Sequence, residues 1–155
     1  MKLFLLFIIF LLSILIAFKF IEKVKIKVQI FESLIIFKNE LLCDITLFRS
    51  GVIERLEKVD EILKKTFNGA KESLKECKDF VCTDTRLSWS EKELISQFVN
   101  ALGRSDEDGQ KKILSYFGEK FDECYKKYKT YKEVRSGLYL RMGVLIGALV
   151  VILLV

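Results

Sequence analysis

The sequence predicts an all-α protein: a helical bundle of about five helices with an N-terminal and a C-terminal transmembrane helix. Three observations predict this fold class. The 155-residue chain has no proline, the residue that most strongly breaks a helix, and its first glycine is Gly51. Two almost entirely apolar stretches lie at its ends, 3–21 and 138–155. Between them, residues 22–137 place apolar residues three and four apart among many charges, as amphipathic helices do.

The first apolar stretch, residues 3–21, is predicted to be a transmembrane helix. Its 19 residues would rise ~28 Å as a helix, close to the ~30 Å thickness of the bilayer hydrocarbon. Its one charged residue, Lys19, lies near the end, where the long side chain can reach the lipid headgroups. A cleaved signal peptide is the alternative, but Leu15 stands where a cleavage site needs a small residue, and lysines follow the stretch. A retained anchor is therefore favoured.

The second apolar stretch, residues 138–155, is predicted to be the other transmembrane helix. Its 18 residues would span ~27 Å, with Arg141 at the inner edge, away from the bilayer centre where a charge costs ~2.5–3.5 kcal/mol. Gly143 and Gly147 form a G-x-x-x-G motif, which lets two helix backbones approach closely. We expect this motif to pack against the N-terminal helix of the same chain or against a second copy, which would make a homo-oligomer.

The charges are segregated along the chain. Residues 28–124 carry 15 Lys or Arg and 19 Asp or Glu, a net charge of −4, whereas residues 19–27 carry +3 and residues 125–141 carry +5. The basic residues thus flank both apolar stretches on the side of the central region, as they do at the cytoplasmic ends of transmembrane helices. We therefore expect a cell-membrane protein with residues 22–137 in the cytoplasm. A nucleic-acid binder would carry its basic patch on the folded domain, so nucleic-acid binding is disfavoured.

Periodicity and helix-breaking residues divide the central region. The first helix should run on from the membrane to about Phe48, where the Arg-Ser-Gly segment 49–51 ends it. A second helix is predicted over residues 52–67, closed by an Asn-Gly pair, and a shorter third helix over about residues 70–80. Residues 82–87 are predicted to form a loop.

The fourth helix has the clearest starting signal. Ser90 with Glu93 fits a capping box, and Trp89 with Leu94 fits a hydrophobic staple. The apolar stripe that follows ends at Gly103, a residue suited to the position after a helix. Trp89 is accordingly interpreted as a staple rather than as a platform for a ligand.

The fifth helix is predicted to be the longest element. Ser105 with Asp108 fits another N-terminal cap. Apolar residues then recur at helical spacing toward the second apolar stretch. They are predicted to pack on the first helix, because both helices emerge from the same membrane: Ile113, Phe117, Phe121, Cys124, Tyr128 and Tyr131.

No catalytic or metal-binding constellation is present in the sequence. The chain contains no histidine, the residue most often used for acid–base catalysis at neutral pH, and no glycine-rich nucleotide-binding motif. Its cysteines contain no C-x-x-C pair and are expected to be reduced, buried small hydrophobic residues: Cys43, Cys77, Cys82 and Cys124. We expect no enzyme activity, no cofactor and no metal.

Residues 102–110, Leu-Gly-Arg-Ser-Asp-Glu-Asp-Gly-Gln, are similar to the LG-x-x-D-x-x-x-Q segment of the stage III sporulation protein AB family. The Lys-Lys-Tyr segment 126–128, the Gly-Val-Leu-Ile-Gly segment 143–147 and the apolar ending 151–155 also resemble the C-terminal part of that family. The resemblance extends over the whole chain in layout, with an anchor at each end and helices between them.

The resemblance implies a structural component of the channel complex built between mother cell and forespore in endospore-forming bacteria, located in the mother-cell (outer forespore) membrane. It implies a fold related to the cytoplasmic helical domains of the type II secretion inner-membrane platform protein, and a role in docking a secretion-type ATPase. Carried over by position, it implies Gly103, Asp106 and Gln110 as candidate residues of the partner interface. Alternatively, Gly103 and Asp106 simply shape a helix junction.

Two other functional classes stay open. One is a membrane-anchored helical scaffold or signalling protein unrelated to secretion, which co-purification with a partner other than an ATPase would favour. The other is a small lipid-modifying enzyme. The missing histidine and the lack of a nucleophile–base pair oppose the enzyme.

Overall fold

A computed structural model of the chain describes residues 2–43 and 49–154. Met1, residues 44–48 and Val155 lie outside the described residues, as do a number of side chains near both ends of the chain and at the start of the second helix. Every regular element among the described residues is a helix, which confirms the all-α prediction. The helices in order are α1 (Lys2–Cys43), α2 (Arg49–Glu57), α3 (Glu61–Thr66), α4 (Ala70–Lys75), α5 (Trp89–Ala101) and α6 (Glu107–Leu154).

The chain divides into two compact units. One, which we call the terminal-helix unit, comprises Met1–Val28 and Lys126–Val155. The other, which we call the central bundle, comprises Gln29–Tyr125. The helices α1 and α6 contribute residues to both units, whereas α2, α3, α4 and α5 belong wholly to the central bundle.

An aromatic cluster forms the core of the central bundle. Phe98 of α5 is fully buried, and its ring centroid lies 5.1 Å from that of Phe121 and 5.4 Å from that of Phe117, both edge-on. Phe31 of α1 contacts Phe121 of α6 at 6.4 Å. Edge-on aromatic pairs at these distances stabilise a core beyond the area that they bury. The predicted packing of the last helix on the first is therefore confirmed within this unit.

Within the terminal-helix unit, a side-chain contact joins α1 to α6. The Lys27 ammonium donates a hydrogen bond to the Tyr128 hydroxyl at 3.2 Å and lies 4.8 Å from the centre of the same ring. This contact combines a hydrogen bond with a cation–π interaction between α1 and α6. The described apolar side chains of this unit are largely exposed, and Leu145, for example, is 68% exposed.

Within the described residues, no helix contains a stretch both long enough and apolar enough to cross a membrane. The predicted transmembrane helices at 3–21 and 138–155 thus find no support in the structure, and part of their side chains lies outside the described residues. Gly143 and Gly147 lie within α6, but the packing predicted for this pair also falls outside what the structure describes.

The second predicted helix and the segment before it differ from the prediction. The segment 49–51, expected to end the first helix, begins α2 instead, and residues 44–48, where that end was predicted, lie outside the described residues. The single helix predicted over 52–67 is two helices, because Asp60 stands in extended conformation directly before α3. Asp60 makes no side-chain hydrogen bond to the start of α3, and its carboxylate instead accepts from the Ser33 hydroxyl of α1 at 3.5 Å.

Two further helix boundaries, the end of α4 and the start of α5, differ from the prediction. The helix predicted over about 70–80 ends at Lys75, and the predicted loop over 82–87 is confirmed within a longer segment without helix. The capping box that opens α5 is formed by Ser88 and Glu91 rather than by Ser90 and Glu93. The staple assigned to Trp89 is wrong, because its side chain is 78% exposed.

Candidate partner interface on α5

The segment before α5 that contains Phe80 and Cys82 lies along one side of that helix and is held there by hydrogen bonds. The backbone N–H of Phe80 donates to the Asn100 side-chain oxygen at 2.7 Å, and the Asn100 nitrogen donates back to the Phe80 carbonyl at 3.0 Å. Two residues on, the N–H of Cys82 donates to the Ser96 hydroxyl at 2.8 Å. Side chains one helical turn apart therefore satisfy alternate backbone groups of the segment, which holds it in place without a sheet.

The same segment contains a buried ion pair, Asp84 with Arg86, and hydrogen bonds from this pair anchor the segment to α3. The Asp84 side chain is 3% exposed and accepts hydrogen bonds from Thr66 at 2.8 Å and from the Arg86 guanidinium at 2.9 Å. Arg86 also donates to the Ile62 carbonyl at 3.0 Å. Burial alone would raise the pKa of Asp84, but the hydrogen bonds from Arg86 and Thr66 outweigh it and lower that pKa to about 2.

Cys82 lies between these two anchors and is chemically protected. Its side chain is buried, and its thiol contacts the Thr66 carbonyl at 3.5 Å. Burial raises the pKa of the Cys82 thiol, which keeps it protonated and unreactive at neutral pH. The prediction of a buried cysteine is thus confirmed at Cys82 and is wrong at Cys43 and Cys77, which are exposed, while Cys124 is half-buried.

The outer surface of this region is an open groove with apolar side chains on its rim. Its volume is about 700 Å³. Trp89, at the first turn of α5, and Val81, on the fixed segment, are 78% and 70% exposed. Both side chains line the groove, which makes its rim a candidate surface for another molecule. The lining residues are Asp79, Phe80, Val81, Cys82, Trp89, Lys92, Glu93, Ser96, Gln97, Asn100, Ala101 and Arg104.

The chemistry of the groove fits protein recognition better than catalysis. Its charged residues stand at the edge, where Arg104 pairs with Asp79 at 2.8 Å and Lys92 and Glu93 carry opposite charges. An exposed tryptophan beside charges of both signs is a combination that protein–protein interfaces often use. Among the described residues, no group of three histidines, cysteines or carboxylates is placed to hold a metal ion.

The predicted interface residues come together at the turn between α5 and α6. Gly103 adopts a φ of 70° directly after the end of α5, a left-handed conformation that glycine adopts without strain. This confirms its predicted place after the helix. Gly103 also lines a second, adjoining hollow of about 690 Å³ beside Cys77, Lys78, Asp79 and Arg104.

Asp106 and Gln110 complete this turn. Asp106 stands directly before α6 and accepts from the N–H of Gly109 at 3.1 Å, so it caps the helix in place of the predicted Ser105 and Asp108. Gln110 satisfies the turn when its carboxamide oxygen faces it, accepting from the N–H groups of Gly103 at 3.1 Å and Ser105 at 3.3 Å. These contacts account for the glycine, aspartate and glutamine of the motif as a helix junction. A role in partner binding stays a prediction.

The sequence reasoning missed Trp89 and Val81 as surface residues. One signal was available, because the serine–glutamate spacing of a capping box occurs twice, at Ser88 and at Ser90. Choosing Ser88 places Trp89 at the first helical position of α5, so Trp89 no longer precedes the helix as the predicted staple required. Val81 carries no such signal, since its exposure follows from the contacts of its neighbours with α5.

The model of the family described as stage III sporulation protein AB matches residues 2–155. No curated protein and no solved structure matches the chain. The family match spans both units and includes the junction motif at residues 102–110. The chain therefore belongs to the stage III sporulation protein AB family and is a protein of sporulation stage III.

Proposed function

We propose that this protein is a non-enzymatic membrane component of the channel complex between mother cell and forespore, and that its central bundle docks a secretion-type ATPase. The observation that carries the docking role is Trp89, held 78% exposed at the edge of the groove on α5. Family membership supports the sporulation setting. The anchors at 3–21 and 138–155 belong to the proposal, and the apolar composition and basic flanks of those stretches support them.

The groove is already ordered before any partner arrives, which favours binding. Ser96 and Asn100 fix one side of the segment that carries Val81, and Asp84 with Arg86 fixes its end. Ordering a loop and its side chains on binding would weaken affinity, at about 0.5–1.5 kcal/mol for each long side chain immobilised. A partner of this surface avoids much of that loss. Tryptophan is also among the residues that most often dominate the binding free energy of an interface.

Co-purification from sporulating cells tests the docking role. The tagged full-length chain is solubilised in mild detergent, and the secretion-type ATPase in the eluate is quantified for wild type, Trp89→Ala and Ile36→Ala. Ile36 is half-exposed on α1 within the same central bundle, so Ile36→Ala is a matched loss of an exposed apolar side chain. We expect wild type and Ile36→Ala to retain the ATPase. Trp89→Ala should lose about 30-fold or more, because truncating a dominant interface residue costs ~2 kcal/mol or more.

Three other outcomes are possible, and each would contradict one part of the proposal. Equal recovery with Trp89→Ala would show that the groove is not the docking surface. Absence of the ATPase with wild type would remove the coupling role, and recovery of a different protein through Trp89 would assign the chain to the membrane-anchored scaffolds. Far-UV circular dichroism of each variant checks that the helices are retained.

A further inference from the structure

Basic charge is concentrated in the terminal-helix unit. Residues 1–28 and 126–155 together contain 11 Lys or Arg and two Asp or Glu, a net charge of +9. Residues 29–125 contain 15 Lys or Arg and 19 Asp or Glu, a net charge of −4. The two values add to the net charge of +5 of the whole chain. The terminal-helix unit therefore has far too few carboxylates of its own to neutralise its lysines.

The ion pairs of the two units differ accordingly. In the central bundle, six of the eleven lysines have no described ion pair, and the other five pair with carboxylates: Lys58 with Glu54, Lys71 with Glu57, Lys78 with Glu76, Lys111 with Glu107 and Lys120 with Glu123. In the terminal-helix unit, the structure describes no ion pair for the following exposed lysines: Lys19, Lys23, Lys25, Lys126, Lys127 and Lys132. Such a set of like charges is self-repelling unless an external anion neutralises it.

These lysines lie close together on α1 and α6. Lys19, Lys23 and Lys27 follow one another at intervals of four, so they lie along one face of α1 over ~12 Å. Lys27 contacts Tyr128 of α6, which is flanked in sequence by further lysines. The contact therefore joins the lysines of α1 to those of α6 in one basic zone, directly beside the two apolar stretches.

We propose that this basic zone binds the phosphate groups of anionic phospholipids in preference to zwitterionic ones. This inference rests on the proposed membrane anchoring. The lipid surface is favoured over a nucleic acid because the basic zone adjoins apolar stretches that can enter the acyl region, whereas a nucleic acid offers those stretches no apolar partner. Each lysine near an anionic membrane surface adds about fivefold to the affinity at low salt.

Native mass spectrometry of the full-length chain in nonionic detergent tests this proposal. The purified protein is titrated with phosphatidylglycerol and, separately, with phosphatidylcholine, and the lipid-bound fraction is measured. The variant Lys19→Gln/Lys23→Gln/Lys25→Gln removes three charges from the basic zone. The control Lys58→Gln/Lys64→Gln/Lys65→Gln removes the same charge from exposed lysines of the central bundle.

We expect wild type to bind phosphatidylglycerol at least about tenfold more tightly than phosphatidylcholine. The zone variant should lose about fivefold or more of its affinity for phosphatidylglycerol in total, and the affinity of the control should stay within about twofold of wild type. Raising the salt concentration to 1 M should weaken binding, because the Debye length falls to about 3 Å. The variant Lys126→Gln/Lys129→Gln/Lys132→Gln on α6 provides a second test should the first variant lose its helicity.

Four results would overturn the proposal. They are equal affinity for the two lipids, an equal loss with the control variant, displacement of the lipid by millimolar inorganic phosphate, and a preference for RNA over phosphatidylglycerol in a competition titration. Failure of membrane anchoring is a separate result. Wild-type protein that carbonate washes off membranes would remove the anchoring, whereas retained protein without a lipid preference would remove this inference alone.

Discussion

The two units of the molecule use the same kinds of residue in opposite ways. The central bundle buries its aromatic rings around Phe98 and pairs five of its eleven lysines with carboxylates, whereas the terminal-helix unit exposes Leu145 and leaves most of its described lysines without an ion pair. Both units draw on α1 and α6. The difference teaches that the central bundle buries an aromatic core and balances part of its basic charge internally, whereas the terminal-helix unit exposes many of its described apolar and basic side chains.

The strongest expected effect concerns the aromatic core. Phe98→Ala should lower the free energy of unfolding by about 3–5 kcal/mol, because a fully buried ring is lost and a cavity remains. Leu145→Ala in the terminal-helix unit should change it by less than about 0.5 kcal/mol. Chemical unfolding of both full-length variants in detergent, followed by circular dichroism at 222 nm, measures the two values. Similar losses would end the contrast between the units.

The buried ion pair should come next. Arg86→Met should cost about 3 kcal/mol, because it leaves the Asp84 carboxylate buried without its cation. Arg104→Met removes an ion pair with Asp79 that is open to solvent and should cost less than about 1 kcal/mol. Thermal unfolding of both variants compares them directly. A loss for Arg104→Met as large as that for Arg86→Met would contradict the importance given to burial.

Lowering the pH should remove the stabilisation that the same ion pair provides. The pKa of Asp84 is about 2 in the folded protein against an ordinary 3.8, so the unfolded chain takes up this proton first as the pH falls. The resulting stabilisation is complete above about pH 4 and is lost toward pH 2, amounting to about 2 kcal/mol. Unfolding free energies measured across this range should fall more steeply for wild type than for Asp84→Asn. Identical slopes would show that Asp84 titrates normally.

Substitution at the junction between α5 and α6 should cost less stability. Gly103→Ala should cost about 1–2 kcal/mol, since a side chain is strained at its φ of 70°. Gly69→Ala, at a φ of 81° with open space around the glycine, should cost a similar amount for the same reason. Thermal denaturation of both variants gives the values. A much larger loss at Gly103 would point to a role of the turn beyond backbone conformation.

The smallest expected effects are gains, one in each unit. Gly137→Ala should stabilise the protein by about 0.5–1 kcal/mol, because alanine favours a helix interior and nothing lies within 4 Å of the added carbon. Gly118→Ala in the central bundle should gain less, since the Lys38 side chain must move from 2.9 Å. Differential scanning calorimetry resolves the two. A gain at Gly118 equal to that at Gly137 would mean that Lys38 moves freely.

Local signals in the sequence predicted several elements of this fold. The all-helical class, the loop over 82–87, Gly103 after α5 and the packing of the last helix on the first follow from periodicity and helix-breaking residues, and all are confirmed. The helix starts were less well predicted. Ser88 and Ser90 offer the same capping pattern, and Asp106 competes with Ser105, so the choice in each pair depends on which neighbours the rest of the fold buries.

By itself, the sequence determined that the chain is helical and that its basic charge lies beside its apolar ends, because both properties are local to a stretch of residues. Only the tertiary structure decided that Lys71 pairs with Glu57, that Thr66 helps to lower the pKa of Asp84 and that Trp89 faces outward. Each of these depends on groups far apart in the chain, such as Thr66 beside Asp84 and Asn100 beside Phe80. Spacing along a sequence does not encode which distant groups meet, so the groove proposed as a partner surface became visible only in the folded chain.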